Sequence, residues 1–214
     1  MNQFLDPLII LALALNFVAL GVSRIRAIIN TVAFQGILLG LLPLLLPHHD
    51  ISLRSLLLVA VTVGLKGIVI PAFLVRAMRE ADIQHEVHPI VDYMSSLLLG
   101  AAGTGLALVF SYTLPLAKQD TDLLIVPASL ATVWTGFLLL TSRRKAITQV
   151  LGYLVLENGI FLFGLLLLDA MPFLVEVGVL LDLFTGVFVM GIIIHHISRE
   201  FASISTEYLT ELKE

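Results

Sequence analysis

Three ionisable side chains stand where lipid would be their solvent. Lys66 lies between Val63-Gly64-Leu65 and Gly67-Ile68-Val69, Glu157 follows Leu154-Val155-Leu156, and Asp182 lies between Leu180-Leu181 and Leu183-Phe184. Insertion scales put Lys or Asp at the centre of a membrane helix at roughly 2.5–3.5 kcal/mol each. Three such residues rival the net stability of a whole domain, about 5–15 kcal/mol. A carboxyl in low dielectric binds and releases protons near neutral pH, which makes Glu157 and Asp182 candidate members of a proton relay. Lys66 is either a third relay member or the permanent partner of a carboxylate. The structural alternative is an ion pair or hydrogen-bonded acid that joins helices without moving protons. Glu157 is also deep, since the twelve residues from Lys145 amount to about 18 Å of helix, beyond the reach of snorkelling. Gln35, Asn158, Glu176 and Thr185 are supporting polar residues that extend a polar chain or serve as interhelical glue. Pro71 removes the hydrogen bond to the Gly67 carbonyl and predicts a kink beside Lys66.

The elements that must carry these residues are membrane helices. Of the 214 residues 58% are hydrophobic and 13% charged, whereas an ordinary soluble domain has about 25% charged. The mean hydropathy of +1.03 excludes a water-soluble globule. Apolar stretches bounded by charges or by Pro, His and Asp clusters predict seven spans, at about residues 7–23, 27–46, 53–75, 91–113, 123–141, 146–168 and 173–195. The start, Met1-Asn2-Gln3-Phe4-Leu5-Asp6, lacks a basic region and leads into more membrane without a cleavage site, so the first span is expected to be retained. With seven crossings, Arg24, Arg26, Arg76, Arg79, Arg143, Arg144, Lys145, Arg199 and Lys213 share one side, and Arg54 and Lys118 the other. The positive-inside rule then places the C-terminus in the cytoplasm and the N-terminus outside.

Spans one to three and five to seven echo each other. Each triplet has an apolar helix, a basic turn (Ser23-Arg24-Ile25-Arg26 or Ser142-Arg143-Arg144-Lys145), a helix with a polar residue, and a third helix with an ionisable centre. Two triplets of the same orientation need one crossing between them, which the fourth span supplies. The expected organisation is an all-α polytopic membrane protein. It has an N-terminal three-helix unit at 1–80, a linking helix with its loops at 81–122, a C-terminal three-helix unit at 123–197 and a cytoplasmic tail at 198–214.

Other chemistries find little support. Cysteine is absent, which removes disulfides, thiolate nucleophiles and Cys-ligated iron–sulfur clusters. His48-His49-Asp50, His85-Glu86-Val87-His88 and His195-His196 lack the i, i+4 spacing of a zinc protease, and no metal or cofactor is expected. A net charge of −4 without a basic-aromatic patch argues against nucleic acid. Gly100, Gly103 and Gly105 suggest a nucleotide fingerprint but lie inside a membrane helix, where they predict close packing, as do Gly36 and Gly40.

The run Gly152-Tyr153-Leu154-Val155-Leu156-Glu157-Asn158-Gly159, followed by Leu174-Val175-Glu176-Val177-Gly178 and Asp182, resembles the hydrogenase-4 component E family. These are membrane subunits of formate hydrogenlyase-type and related complex I-like [NiFe]-hydrogenase complexes. Residues 123–214, with the Leu209-Thr210-Glu211-Leu212-Lys213 tail, are also similar to the three-helix K subunit of respiratory complex I and its counterpart in cation/proton antiporters. The resemblance implies a bacterial or archaeal cytoplasmic membrane, antiporter-like membrane partners and a peripheral hydrogenase module. It implies that Glu157 matches the membrane glutamate of the K subunit and that Asp182 lies near its second acid. In the first half the acid positions hold Gln35 and Lys66, so that half is expected not to conduct protons in the same way. The expected role is a non-catalytic subunit of an oxidoreductase complex that helps couple redox chemistry to proton or Na⁺ translocation. A structural adaptor, a self-standing transporter and a subunit of a multisubunit antiporter are the alternatives.

Overall fold

The computed structural model describes residues 2–45, 53–80, 89–113 and 124–165, together with Phe184 and Gly191. Among them every regular element is helical. In hydrocarbon no water satisfies backbone N–H and C=O groups, so a lipid-exposed chain must close its hydrogen bonds within each segment. The helices are α1 (Asn2–Gly21), α2 (Ile25–Leu41, continued by a 3₁₀ turn at Leu42–Leu45), α3 (Leu53–Gly64), α4 (Ile70–Glu80), α5 (Tyr93–Thr113), α6 (Ile125–Ser142) and α7 (Ala146–Gly164). A π turn at Leu65–Val69 joins α3 to α4, so these helices make six passages where the first six spans are expected. Five of the passages have the length and apolarity to cross a bilayer, and α1 contributes a shorter apolar helix, Leu5–Gly21. The seventh expected span, with Glu176, Asp182 and Thr185, lies outside the described residues except for Phe184 and Gly191, which are helical and exposed.

Short turns make α1 and α2, and α6 and α7, antiparallel neighbours. Arg24 and Lys145, in extended backbone, precede α2 and α7, and neither caps its helix with its side chain. Glycine lets α6 and α7 approach until backbone meets backbone. A Cβ at Gly152 would lie 2.5 Å from the Leu140 nitrogen and one at Gly159 2.6 Å from the Val133 nitrogen, while one at Gly136 would run into the Leu156 backbone. Small residues at such contacts serve a membrane bundle because lipid supplies no hydrophobic force to press helices together. Gly36, Gly40, Gly100 and Gly103 are likewise contact points, as expected. Gly105 corrects that expectation, because nothing lies within 4 Å of its would-be Cβ.

The irregularity expected at Pro71 takes the form of the π turn. Proline offers no N–H, and its ring crowds the carbonyl four residues back. One extra residue in the preceding turn shifts the register, and the Ile70 N–H reaches the Leu65 carbonyl. Lys66 sits inside this turn and is buried.

The interior has three layers. One apolar cluster gathers Ala19, Leu20, Ile28, Val32, Leu138 and Val155 with their neighbours, and a second gathers Leu5, Ala12, Leu38, Ala128, Leu162 and others. Along each of four helices a buried polar residue falls between the two: Asn16 between Ala12 and Ala19, Gln35 between Val32 and Leu38, Thr132 between Ala128 and Leu138, and Glu157 with Asn158 between Val155 and Leu162. The polar residues therefore form a middle layer.

At the basic end of the bundle, Arg143 of the turn between α6 and α7 is fully buried. Its Nη2 donates to the Leu20 carbonyl (2.8 Å) and its Nη1 to the Val91 carbonyl (3.2 Å), and its guanidinium lies 4.6 Å from the centre of the Tyr93 ring. The Ile90 N–H in turn donates to the Ser142 carbonyl (2.8 Å). One side chain thus gathers the end of α1, the approach to α5 and the α6–α7 turn. A planar fork suits two diverging carbonyls and an aromatic face better than an ammonium does. Arg143→Lys is therefore expected to lower the thermal midpoint of the full chain in detergent, and Arg143→Ala to lower it further. An unchanged midpoint in both variants would contradict this role. Reporter fusions at Lys145 and after Glu214 are expected to read cytoplasmic and a fusion at Lys118 external, as the basic residues require.

Candidate functional site

The middle layer brings Lys66 and Glu157 together. Lys66 descends from the π turn and Glu157 projects from α7, with Nζ and Oε1 3.7 Å apart and the side chains only 6% and 4% exposed. The Lys66 ammonium also donates to Asn158 Oδ1 at 3.1 Å. It lies 5.2 Å from the centre of the Phe161 ring, one turn further along α7. Gly36 makes this possible, since a Cβ there would sit 2.9 Å from the Lys66 Cβ.

Beyond Asn158 the polar contacts continue from helix to helix. Asn158 Nδ2 donates to Gln35 Oε1 (3.2 Å), and Gln35 Nε2 donates to Asn16 Oδ1 (2.8 Å) and to the Ala12 carbonyl (3.1 Å). Asn16 Nδ2 donates to Thr132 Oγ1 (2.8 Å), whose hydroxyl donates to the Ala128 carbonyl (2.7 Å). Five passages are joined by this chain.

Of the residues singled out from sequence, Lys66, Glu157, Gln35 and Asn158 converge, while Asp182 and Glu176 lie outside the described residues. Asn16 and Thr132 complete the layer and were missed. Asn16 carried the same signal as Gln35, a lone amide in Leu13-Ala14-Leu15-Asn16-Phe17. Thr132 carried none, because a hydroxyl bonded to the carbonyl four residues back is ordinary in membrane helices.

A burial of this kind is finely balanced. Bringing two charges out of water costs several kcal/mol per ion, and the Coulomb attraction repays it only with good geometry and further hydrogen bonds. Here the separation is longer than a tight salt bridge, so the Asn158 amide and the Phe161 ring carry part of the solvation of Lys66. A narrow cleft lined by Ile29, Val32, Ile70, Leu74, Leu151 and Leu154 reaches Lys66 and Asn158 from the side of the basic end, with room for about one water. Chemically, Lys66 and Glu157 are the groups of this layer that can exchange a proton. The amides only orient, since passing a proton through one requires its imidic acid tautomer. No group of three or more metal-ligating side chains occurs among the described residues.

Fold and site together define a polytopic helical membrane protein with an ion pair between its apolar layers. The chain belongs to the same family as the uncharacterized protein Rv0085 of Mycobacterium tuberculosis, to which it is 36% identical over 194 residues, 89% of this chain and 87% of that protein. It is also similar to hydrogenase-4 component E of Escherichia coli and of Shigella flexneri, 36% identical over 78 residues, which is 36% of each chain. No family model and no solved structure matches.

Removing one partner of a buried pair strands the other, whereas replacing both with neutral groups is often neutral or stabilising. Lys66→Met is therefore expected to lower the thermal midpoint of the chain, and adding Glu157→Gln to restore most of the loss. Additive losses would mean that the two side chains do not act as a pair.

Proposed function

We propose that this protein is a non-catalytic membrane subunit of a hydrogenase or related complex I-like assembly, in which the Lys66–Glu157 pair helps couple redox chemistry to proton or Na⁺ movement. The observation that carries the reading is the pair itself, held between two apolar layers. The partial similarity to hydrogenase-4 component E supplies the class of assembly. The partners proposed on that similarity are antiporter-like membrane subunits and a peripheral hydrogenase module, with the C-terminus in the cytoplasm of a bacterial or archaeal cell. Asp182, on the proposed seventh span, is assigned the second acid of the relay, and Glu176 a supporting role. The proposed architecture is two parallel three-helix units, the second similar to the complex I K subunit, joined by a crossing helix.

The second reading is a structural adaptor that bridges modules and moves no protons. The close glycine packing of α6 on α7 and the amide chain would serve it equally well. Glu157→Gln separates the two, because it keeps the shape and hydrogen-bonding capacity of the side chain and removes proton exchange. In membrane vesicles, normalised to assembled complex, this variant is expected to keep hydrogenase turnover and to lose most of the ion flux per electron, with Glu157→Asp intermediate. An unchanged flux per electron would reject the relay and leave the adaptor. Co-purification of hydrogenase subunits with the gently solubilised native chain, read by mass spectrometry, tests the assembly independently of coupling.

A further inference from the structure

The middle layer has a direction. Every hydrogen bond from Lys66 to the Ala128 carbonyl has its donor on the Lys66 side, and the end partners are backbone carbonyls that accept only. Ala12 O fixes the nitrogen of Gln35 on its side at 3.1 Å. Gln35 must then turn its oxygen to Asn158, and Asn158 must give its nitrogen to Gln35 and its oxygen to Lys66. Asn16 provides a second stop. Its oxygen accepts from Gln35, and its nitrogen donates to Thr132, whose proton is committed to Ala128 O. Flipping Gln35 would set its oxygen against the Ala12 carbonyl, and flipping Asn158 would set its N–H groups against the ammonium.

We infer that Gln35, Asn16 and Thr132 form a one-way brace that locks the Asn158 oxygen onto Lys66, so that the amide presents an acceptor, and not a donor, to the Lys66 side chain. An ammonium has three donors and no acceptor. Asn158 Oδ1 accepts from Lys66, and Glu157 Oε1 and the Phe161 ring face lie beside it, all electron-rich, so an Asn158 held with its oxygen toward Lys66 matches the rest of this surrounding. Aligned amide dipoles polarise one another, which strengthens the oxygen end at the cation. Gln35 and Asn16 are thus positioning residues that act on Lys66 through Asn158. The functional meaning of this assignment rests on the proposed coupling role. Its test does not.

The test is a stability cycle on the full chain in lipid nanodiscs, read as thermal midpoint. Gln35→Leu is made in the natural chain and in a neutral background carrying Lys66→Met and Glu157→Gln. A brace for a charge is expected to cost at least twice as much in the natural chain as in the neutral one. An amide that merely joins helices costs the same in both, and equal drops would overturn the inference. Asn16→Leu, one hydrogen bond further from the charge, is run alongside, so that a Gln35 variant that does not fold leaves the comparison intact; its drop is expected to shrink in the neutral background as well, and an unchanged drop overturns the brace. If the cycle shows this coupling while Glu157→Gln leaves ion flux per electron unchanged, the brace stands and the coupling role falls.

Discussion

Holding a lysine and a glutamate together in the middle of a hydrocarbon slab is the constraint on which this architecture turns. In low dielectric neither charge tolerates solitude, and their attraction alone falls short of their loss of water. The structure answers by building a polar stratum around them, with a residue from α1, α2, α6 and α7 and the π turn between α3 and α4. The two apolar clusters on either side exclude water and hold the helices in the register that this stratum needs. A shift of α1, α2 or α7 by a single turn, about 5.4 Å, would break the chain at two points.

Close packing serves the same end. Side chains of ordinary bulk at Gly36, Gly152 or Gly159 would drive α2 from Lys66 or α7 from α6, and separations near 3 Å between polar atoms would lengthen beyond hydrogen bonding. The π turn fits this pattern too. The register change that Pro71 imposes on its own helix falls on the turn that carries Lys66, so a proline that would weaken an isolated helix is found where the chain needs an irregular presentation.

Much of this was legible in the sequence because lipid is an unforgiving solvent. Apolar length located six helices, and the rarity of Lys66, Glu157, Gln35 and Asn158 in such runs marked them before any contact was known. Asn16 stood out by the same criterion, a lone amide in an apolar run, and was passed over. The burial of Arg143 was not legible. Its neighbours Arg144 and Lys145 make a basic turn, and nothing in one-dimensional spacing shows that the first of three cations folds inward onto Leu20, Val91 and Tyr93. Burial of a turn residue depends on which other helix ends converge there, a tertiary fact.

The direction of the polar chain bears on what kind of device the protein is. A stand-alone transporter carries its ion from one face to the other, and its polar groups are strung along the membrane normal, with gates toward each side. Here, among the described residues, the polar groups share one layer and pass from helix to helix across the bundle. A lateral arrangement does little for a solitary carrier. It suits a segment whose charge state is sensed by, or imposed by, a neighbour in the same plane, and that supports membership in a larger assembly more than independent transport. The chain ends on the backbone carbonyls of Ala12 and Ala128, so on that side it is closed to protons and open only to electrostatic influence. In the proposed coupling role, a partner would therefore meet the layer at its Lys66–Glu157 end.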